Sequence, residues 1–224
     1  AHALGMQVAA HVESPEGVRV ALENGVDSIE HGAKLDEHLI RLFRDRGACL
    51  CTTLSPALPY ALFDRSVTHA TEVEQFNGNV VFEGIIACAK AALENDIPVV
   101  LGNDVGCPWI TQYDFWRELC YFRKYVGVSN AFALHTATGR AAEVMGLGSV
   151  TGIDLPSEAA GRVPDAEWKW NYFTNVPDAE REWHPGDYCN IAIGQGDMLV
   201  TCLQMANAYT SIANRGPVAH DEHG

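Results

Sequence analysis

The stretch MGLGSVTGIDLPSEAAGR, Met145 to Arg162, decides how the chain is read. Its first half closes a helix in a run of alternating strands and helices. Its second half opens a stretch where that alternation stops. Upstream, MQVAAHV (6–12) is short, apolar and bounded, as a buried parallel strand should be. Ser14 and Pro15 then supply an N-cap and an N1 proline for a helix that Gly25 closes. VDSIEH (26–31), ACLCTTL (48–54) and IPVVLGND (97–104) read as three further strands. Between them lie a helix capped by Asp36 and ended by Gly47, a loop through residues 55–66, and a helix over 74–95. Strands alternating with helices at this spacing predict an α/β fold with a parallel sheet or barrel. Downstream, RVPDAEWKWNYFTNVPDAEREWHPGDY is rich in Pro, Asp and Trp and has no such period. Thr201 and Gln204 form a T-x-x-Q capping box before one clear helix, which Arg215-Gly216-Pro217 stops. Two parts are therefore expected, 1–150 and 151–224.

Composition narrows the function classes. The 224 residues are 47% hydrophobic and 20% charged, enough to bury a core. A formal charge of −14 without a basic stripe argues against a nucleic-acid partner. Seven irregularly spaced cysteines favour reduced thiols in a cytoplasmic setting over a disulfide framework. No apolar run approaches the roughly 18–20 residues of a membrane span, and no signal peptide precedes the first strand. The opening AHALGMQV reads as a helix end entering a strand, so an internal fragment is expected.

Three polar residues fall at the C-terminal ends of these strands: His11, His31 and Asp104. In a parallel barrel that end carries the active site. Two imidazoles and a carboxylate suit a divalent metal such as zinc, which lowers the pKa of bound water. Asp104 could also serve as general base. The alternative is that each histidine satisfies a backbone carbonyl and Asp104 caps the next helix. Cys49 and Cys51 share one face of a strand and, without a second pair, read as core thiols. His135 reads as structural. The aromatic cluster Tyr113, Phe115, Trp116, Tyr121 and Phe122 could line a pocket or simply pack.

The runs VAAHVESPEGVRVALENGVDSIEHGAKLDEHLIRLFRDRGACLCTTLSP, IPVVLGNDVG and ALHTATGRAAEVMGLGSVTG resemble the second half of an amidohydrolase-superfamily enzyme. The nearest groups are imidazolonepropionase-like and Xaa-Pro dipeptidase-like. The resemblance implies half of a TIM-type (β/α)8 barrel, strands 5 to 8 with their helices. It further implies that His11 and His31 are the strand-5 and strand-6 metal ligands, and Asp104 the strand-8 ligand and base. The implied reaction is hydrolysis of an amide or other C–N bond in a small-molecule or peptide-like substrate, with one or two zinc-class ions. Two family features are missing: the nine histidines include no H-x-H pair, and none of the four lysines ends a strand. Where many relatives place a second histidine after the strand-5 ligand, this chain has Glu13.

GIDLPSEAAGRVPDAEWKW and WHPGDYCNIAIGQGDMLVTCLQMANAYTSIANRG resemble a different family, the class B penicillin-binding protein transpeptidases, over about residues 146–217. That resemblance implies peptidoglycan cross-linking outside the membrane by an acylated serine. Yet no serine here begins S-x-x-K or S-x-N, and no lysine precedes Thr-Gly. Gln195 between two glycines marks a tight turn. The two families can share the phrase G-L-G-x-V-T-G, which puts the change of identity within 146–152.

Three readings follow: a metal-dependent amidohydrolase that is incomplete and inactive alone, a transpeptidase fragment, or a non-functional chimera of the two. Half a barrel leaves two strand edges unpaired, so marginal stability is expected unless the chain forms a homo-oligomer or meets a missing N-terminal half-barrel.

Overall fold

Strand β1, Ala9–Val12, begins the sheet, and the chain leaves it through Ser14, whose Oγ accepts the Gly17 N–H at 3.1 Å. With Pro15 at its first position this cap starts helix α1, Pro15–Glu23, which buries Val18 and Leu22. Strand β2 spans Ser28–His31. Asp36 then accepts the Leu39 N–H at 2.8 Å and opens helix α2, Glu37–Arg46, ended by Gly47 at φ 64°. Strand β3, Cys49–Thr52, leads into α3, Leu58–Leu62, and α4, Arg65–Thr68, two short helices in a stretch expected to be a loop. Thr71 and Glu74 form a reciprocal capping box at the start of α5, Glu72–Glu94. Strand β4, Val99–Leu101, follows. The computed structural model describes residues 2–4, 7–111, 113–153 and 157–213; the tail beyond Ala213 lies outside them.

The four strands form one parallel sheet in sequential order β1-β2-β3-β4. Register partners share a face, because side chains alternate along a strand. One row across the sheet is Ala10, Ile29, Leu50 and Val99, in which Ile29, Leu50 and Val99 are buried. The adjacent row, on the opposite face, is His11, Glu30, Cys51 and Val100. The core holds Val18, Leu22, Ile29, Leu39, Phe43, Leu50 and Ile85, all nearly inaccessible. This is the mixed α/β, parallel-sheet architecture that the alternation predicts.

The chain divides into two compact units, Val8–Ala133 and Leu134–Gly224, the latter including Ala1–Gln7. The first unit continues with α6, Phe115–Tyr121, and a π-helical turn, Phe122–Val126. The division falls inside α7, Asn130–Ala137. Beyond it lie α8, Gly139–Val144, then α9, Ala166–Tyr172, α10, Asp178–Arg181, α11, Pro185–Ala192, and α12, Cys202–Ala213. Arg162 and Leu199 make an isolated antiparallel bridge, and the Arg162 guanidinium lies 4.2 Å from the Trp168 ring centre. No helix among the described residues is long and apolar enough to cross a membrane.

Gln204 ties the second unit together. The predicted capping box forms, with Thr201 Oγ1 accepting the Gln204 N–H at 3.1 Å and Gln204 Oε1 accepting the Thr201 N–H at 3.0 Å. The buried amide nitrogen also donates to the Ser149 and Ala160 carbonyls, both at 2.5 Å. One side chain thus holds both ends of the loop that contains Thr151-Gly152. Gly161, at φ 64°, packs against it so closely that a Cβ would stand 2.7 Å from its Oε1. Gln204→Ala removes the cap and leaves two carbonyls short of a donor. It is expected to cost about 2–4 kcal/mol on the usual scale for lost buried hydrogen bonds. Urea unfolding followed by tryptophan fluorescence measures it.

Candidate metal centre at the strand ends

His11 and Glu30 are register partners, so a regular β2 would turn His31 to the face opposite His11. The backbone prevents this. His31 sits at φ 68° and Gly32 at φ 86°, a left-handed pair that reverses the end of β2. The turn is held by the Gly32 N–H, which lies 3.0 Å from the Val12 carbonyl and 2.9 Å from that of Glu30. A Cβ on Gly32 would meet Cys88 Sγ at 2.6 Å, so the position needs glycine both for its φ and for its room.

The result is a close pair of imidazoles. His11 Nδ1 and His31 Nε2 stand 2.7 Å apart, with ring centres 4.5 Å apart and the planes near perpendicular. The other nitrogen of His31, Nδ1, is 2.5 Å from Thr53 Oγ1, a buried hydroxyl just past β3. With Nδ1–H donating to Thr53, Nε2 keeps its lone pair for the site, the usual arrangement behind a ligating histidine. Glu13 completes a group whose donor atoms all lie within 4.8 Å of one another: His11, Glu13 and His31. His31 is buried, whereas His11 and Glu13 are exposed. Burial lowers the His31 pKa, and positive charge on His11 would lower it further; Glu13, Asp104 and Glu30 oppose this.

Asp104, expected as both ligand and base, is not in that tight group. It lies beyond β4 at φ 51°, exposed, and its Oδ2 accepts a hydrogen bond from the Cys107 thiol at 3.1 Å. Its charge still reaches His31. Of the three residues singled out from sequence, two therefore meet directly and the third flanks them. Glu13 could be noted in sequence only as a departure, yet it enters the donor group.

Fit to zinc follows from distances. Two nitrogens on a tetrahedral ion stand about 3.3 Å apart, given zinc–nitrogen bonds of about 2.0–2.1 Å. The observed 2.7 Å is shorter. Since His31 is locked by Thr53 and His11 is exposed, the opening motion falls to His11. Elsewhere at the end of the sheet, Asn103 Nδ2 and Thr52 Oγ1, the latter on the Leu50 face opposite His11, are buried with no hydrogen-bond partner.

Glu118, invisible as a site residue in sequence, anchors the same end of the sheet. It is wholly buried on α6. Its carboxylate accepts the Leu54 N–H at 2.6 Å, the Ser55 N–H at 2.8 Å and the Ser55 hydroxyl at 2.5 Å. The chain leaving β3 beside Thr53 is thereby fixed. Burial raises the carboxyl to about 7 even though all three donors pull it down.

Comparison with known proteins divides along the chain. Residues 136–220 match the penicillin binding protein transpeptidase domain. The peptidoglycan D,D-transpeptidase MrdA of Acinetobacter baumannii is 39% identical over 71 residues, 32% of this chain and 10% of that protein. Its counterpart in Haemophilus influenzae is 38% identical over 73 residues, 33% and 10% of the two chains. Among solved structures, a candidate prolidase from Bifidobacterium longum superposes with TM-score 0.62 at 41% identity, over 64% of this chain and 37% of that one. A Xaa-Pro dipeptidase with methionine in its active site gives 0.54 at 26% identity, over 64% and 34%. The chain thus spans about a tenth of the curated transpeptidases and about a third of the solved chains. Both resemblances read from sequence hold: part of the chain is similar to prolidase-type amidohydrolases, and another part to penicillin-binding transpeptidases. The transpeptidase match begins at Thr136, inside α7, upstream of the 146–152 phrase.

The folded carboxyl of Glu118 binds its proton more tightly than the unfolded one, whose pKa is near 4.5. Folding therefore takes up a proton between about pH 4.5 and 7, and this group's contribution to stability falls as pH rises through that window. Glu118→Gln has no such titration. The urea midpoint of the wild type is expected to fall relative to that of Glu118→Gln as pH rises from 5 to 8.

Proposed function

We propose that Val8–Ala133 is the strand-5 to strand-8 half of a (β/α)8 barrel from a metal-dependent amidohydrolase. We further propose that the chain after α7 is a non-catalytic section of a transpeptidase scaffold. The observation that carries the first reading is the meeting of His11 Nδ1 and His31 Nε2 at the ends of adjacent parallel strands, with Glu13 in reach. The sequential order β1-β2-β3-β4 supports it, because barrels keep that order whereas doubly wound sheets reverse it. In this reading β1 and β4 are barrel edges, which a second copy of the chain or a separate N-terminal half-barrel would pair.

A divalent ion of the zinc class, held by His11, His31 and a carboxylate from Glu13 or Asp104, would supply a water of lowered pKa. The residues themselves divide the remaining work. Thr53 fixes the His31 ring so that Nε2 faces the site. Asp104 takes and holds a proton at its carboxylate. Because the 224 residues contain no H-x-H pair, the chain by itself is expected to bind metal weakly and to turn over no amide. Seven free cysteines support a cytoplasmic setting.

The match over residues 136–220 favours the second reading for the rest of the chain. That section lacks S-x-x-K, S-x-N and K-T-G, so it acts as scaffold. A junction of two unrelated pieces without joint function is the third reading.

Equilibrium dialysis of the chain against zinc, with metal analysis, tests the first. Binding is expected, and His31→Ala should weaken it at least 10-fold, the lower end of what supporting residues alone contribute. Equal binding by wild type and His31→Ala would sink the assignment. For the second, a fluorescent penicillin should leave the chain unlabelled after denaturing electrophoresis; a covalent adduct would place a nucleophile where the sequence offers none.

A further inference from the structure

Glu118 is a costly residue to bury. Its side chain is inaccessible to solvent, and the adjacent Arg117 is spent on Asp114 at 3.2 Å. Among the described residues, neutral donors alone hold the carboxylate: the Leu54 N–H on Oε1, and the Ser55 N–H and hydroxyl on Oε2. A buried charge without a counter-ion is retained only where its hydrogen bonds are needed, and a helix that merely packed here could present a leucine. The three donors belong to two consecutive residues that follow directly on Thr53. Thr53 is confined from its other side as well. Gly102, just past β4, donates its N–H to the Thr52 carbonyl at 3.0 Å, and a Cβ on it would stand 3.2 Å from the Thr53 methyl. Threonine is stiff about χ1, so a fixed main chain and a packed methyl leave its hydroxyl one direction, 2.5 Å from His31 Nδ1. The helix that carries Glu118 is itself held: Phe122 just after it is buried, and Tyr125 meets the Phe82 ring of α5 edge-on, with centres 5.1 Å apart.

Resting on the metal reading above, we propose that Glu118 is a positioning residue of the centre: through the Leu54–Ser55 main chain it aims the Thr53 hydroxyl, which keeps the His31 proton on Nδ1 and leaves Nε2 free for the ion. Glu118 touches neither ion nor substrate. Glutamine does not replace it, because in either orientation its NH2 group would face a main-chain N–H, that of Leu54 or that of Ser55. A plain anchor would act on stability alone. A positioning residue acts on the His31 tautomer and on metal affinity, and only while the Thr53 hydroxyl is present to relay it.

Two readouts on the full 224-residue chain test this at pH 8, where the His31 ring is neutral. Nitrogen-15 NMR of that ring, assigned by its loss in His31→Ala, shows which nitrogen carries the proton with no metal present; dialysis against zinc gives the affinity. Wild type should carry the proton on Nδ1. Glu118→Gln should turn the ring into a mixture of tautomers and weaken zinc about 10-fold, the scale for groups that stand behind a ligand. Thr53→Val should do at least as much. Adding Glu118→Gln to Thr53→Val should then change the affinity by less than about 2-fold, since residues acting in series are not additive. Ser55→Ala removes one donor and keeps both main-chain ones; it should give a smaller loss of the same kind, and it carries the test if circular dichroism shows Glu118→Gln unfolded. Wild-type tautomer and zinc affinity in the folded variants of Glu118 and Ser55 overturn the positioning role and leave the metal reading standing. Losses that multiply in the double variant also overturn it, because Glu118 would then act without Thr53. Absence of zinc binding in wild type overturns the metal reading, and the tautomers then decide the positioning role by themselves.

Discussion

Everything at the candidate site depends on two left-handed residues, His31 and Gly32. Strand alternation alone would put the His31 ring among the buried apolar row of Ile29, on the wrong side of the sheet from His11. A non-glycine residue at positive φ costs on the order of 1–2 kcal/mol. The chain offsets that cost locally, with the Gly32 N–H bonded to main-chain oxygens and the His31 ring bonded to Thr53. Strain of this kind is kept where it orients a working side chain. The close approach of Gly32 to Cys88 also couples the turn to α5, so the long helix on the outside of the sheet supports the geometry inside.

Glu118 carries that support to β3. Its carboxylate fixes the first residues after Thr53, and Thr53 in turn fixes His31. The orientation of one imidazole is therefore set by a chain of contacts through α6, the β3 loop and a hydroxyl. The sheet edges stand in contrast. Among described strands, β1 and β4 each pair on one side only, and the exposed His11 sits on the first of them. The rigid half of the imidazole pair is thus interior, and the adjustable half belongs to an edge.

Much of the first unit was legible in sequence because its signals are local. Ser14, Asp36 and Gly47 act at helix ends within four residues of their partners, and strand periodicity needs only a short window. The same holds for Thr201 and Gln204. What could not be read were interactions across long separations. Glu118 meets Ser55 across 63 residues, and nothing in FWRELCYF marks one glutamate as buried. The role of Gln204 beyond its cap, holding Ser149 and Ala160, is equally distant. Glu13 was visible only as a substitution for an expected histidine. Its place in the donor group depends on how β1 ends relative to β2, which is a matter of sheet register. The helices α3 and α4 were missed because Pro59 and neighbouring polar residues mimic a loop.

The stretch around Thr151-Gly152 has one more implication. The transpeptidase match begins at Thr136, the turn after α8 uses a phrase that both families can share, and Glu158 accepts the Thr151 and Gly152 N–H groups at 2.6 and 3.1 Å. The described residues there are not featureless: Thr138 opens α8 without a side-chain cap, Thr151 Oγ1 is buried with no hydrogen-bond partner, and Ser157 sits at φ 66°. What sets each part apart from the proteins it resembles lies far from this loop: the upstream part has no H-x-H pair to complete its imidazoles, and the downstream part has no S-x-x-K serine.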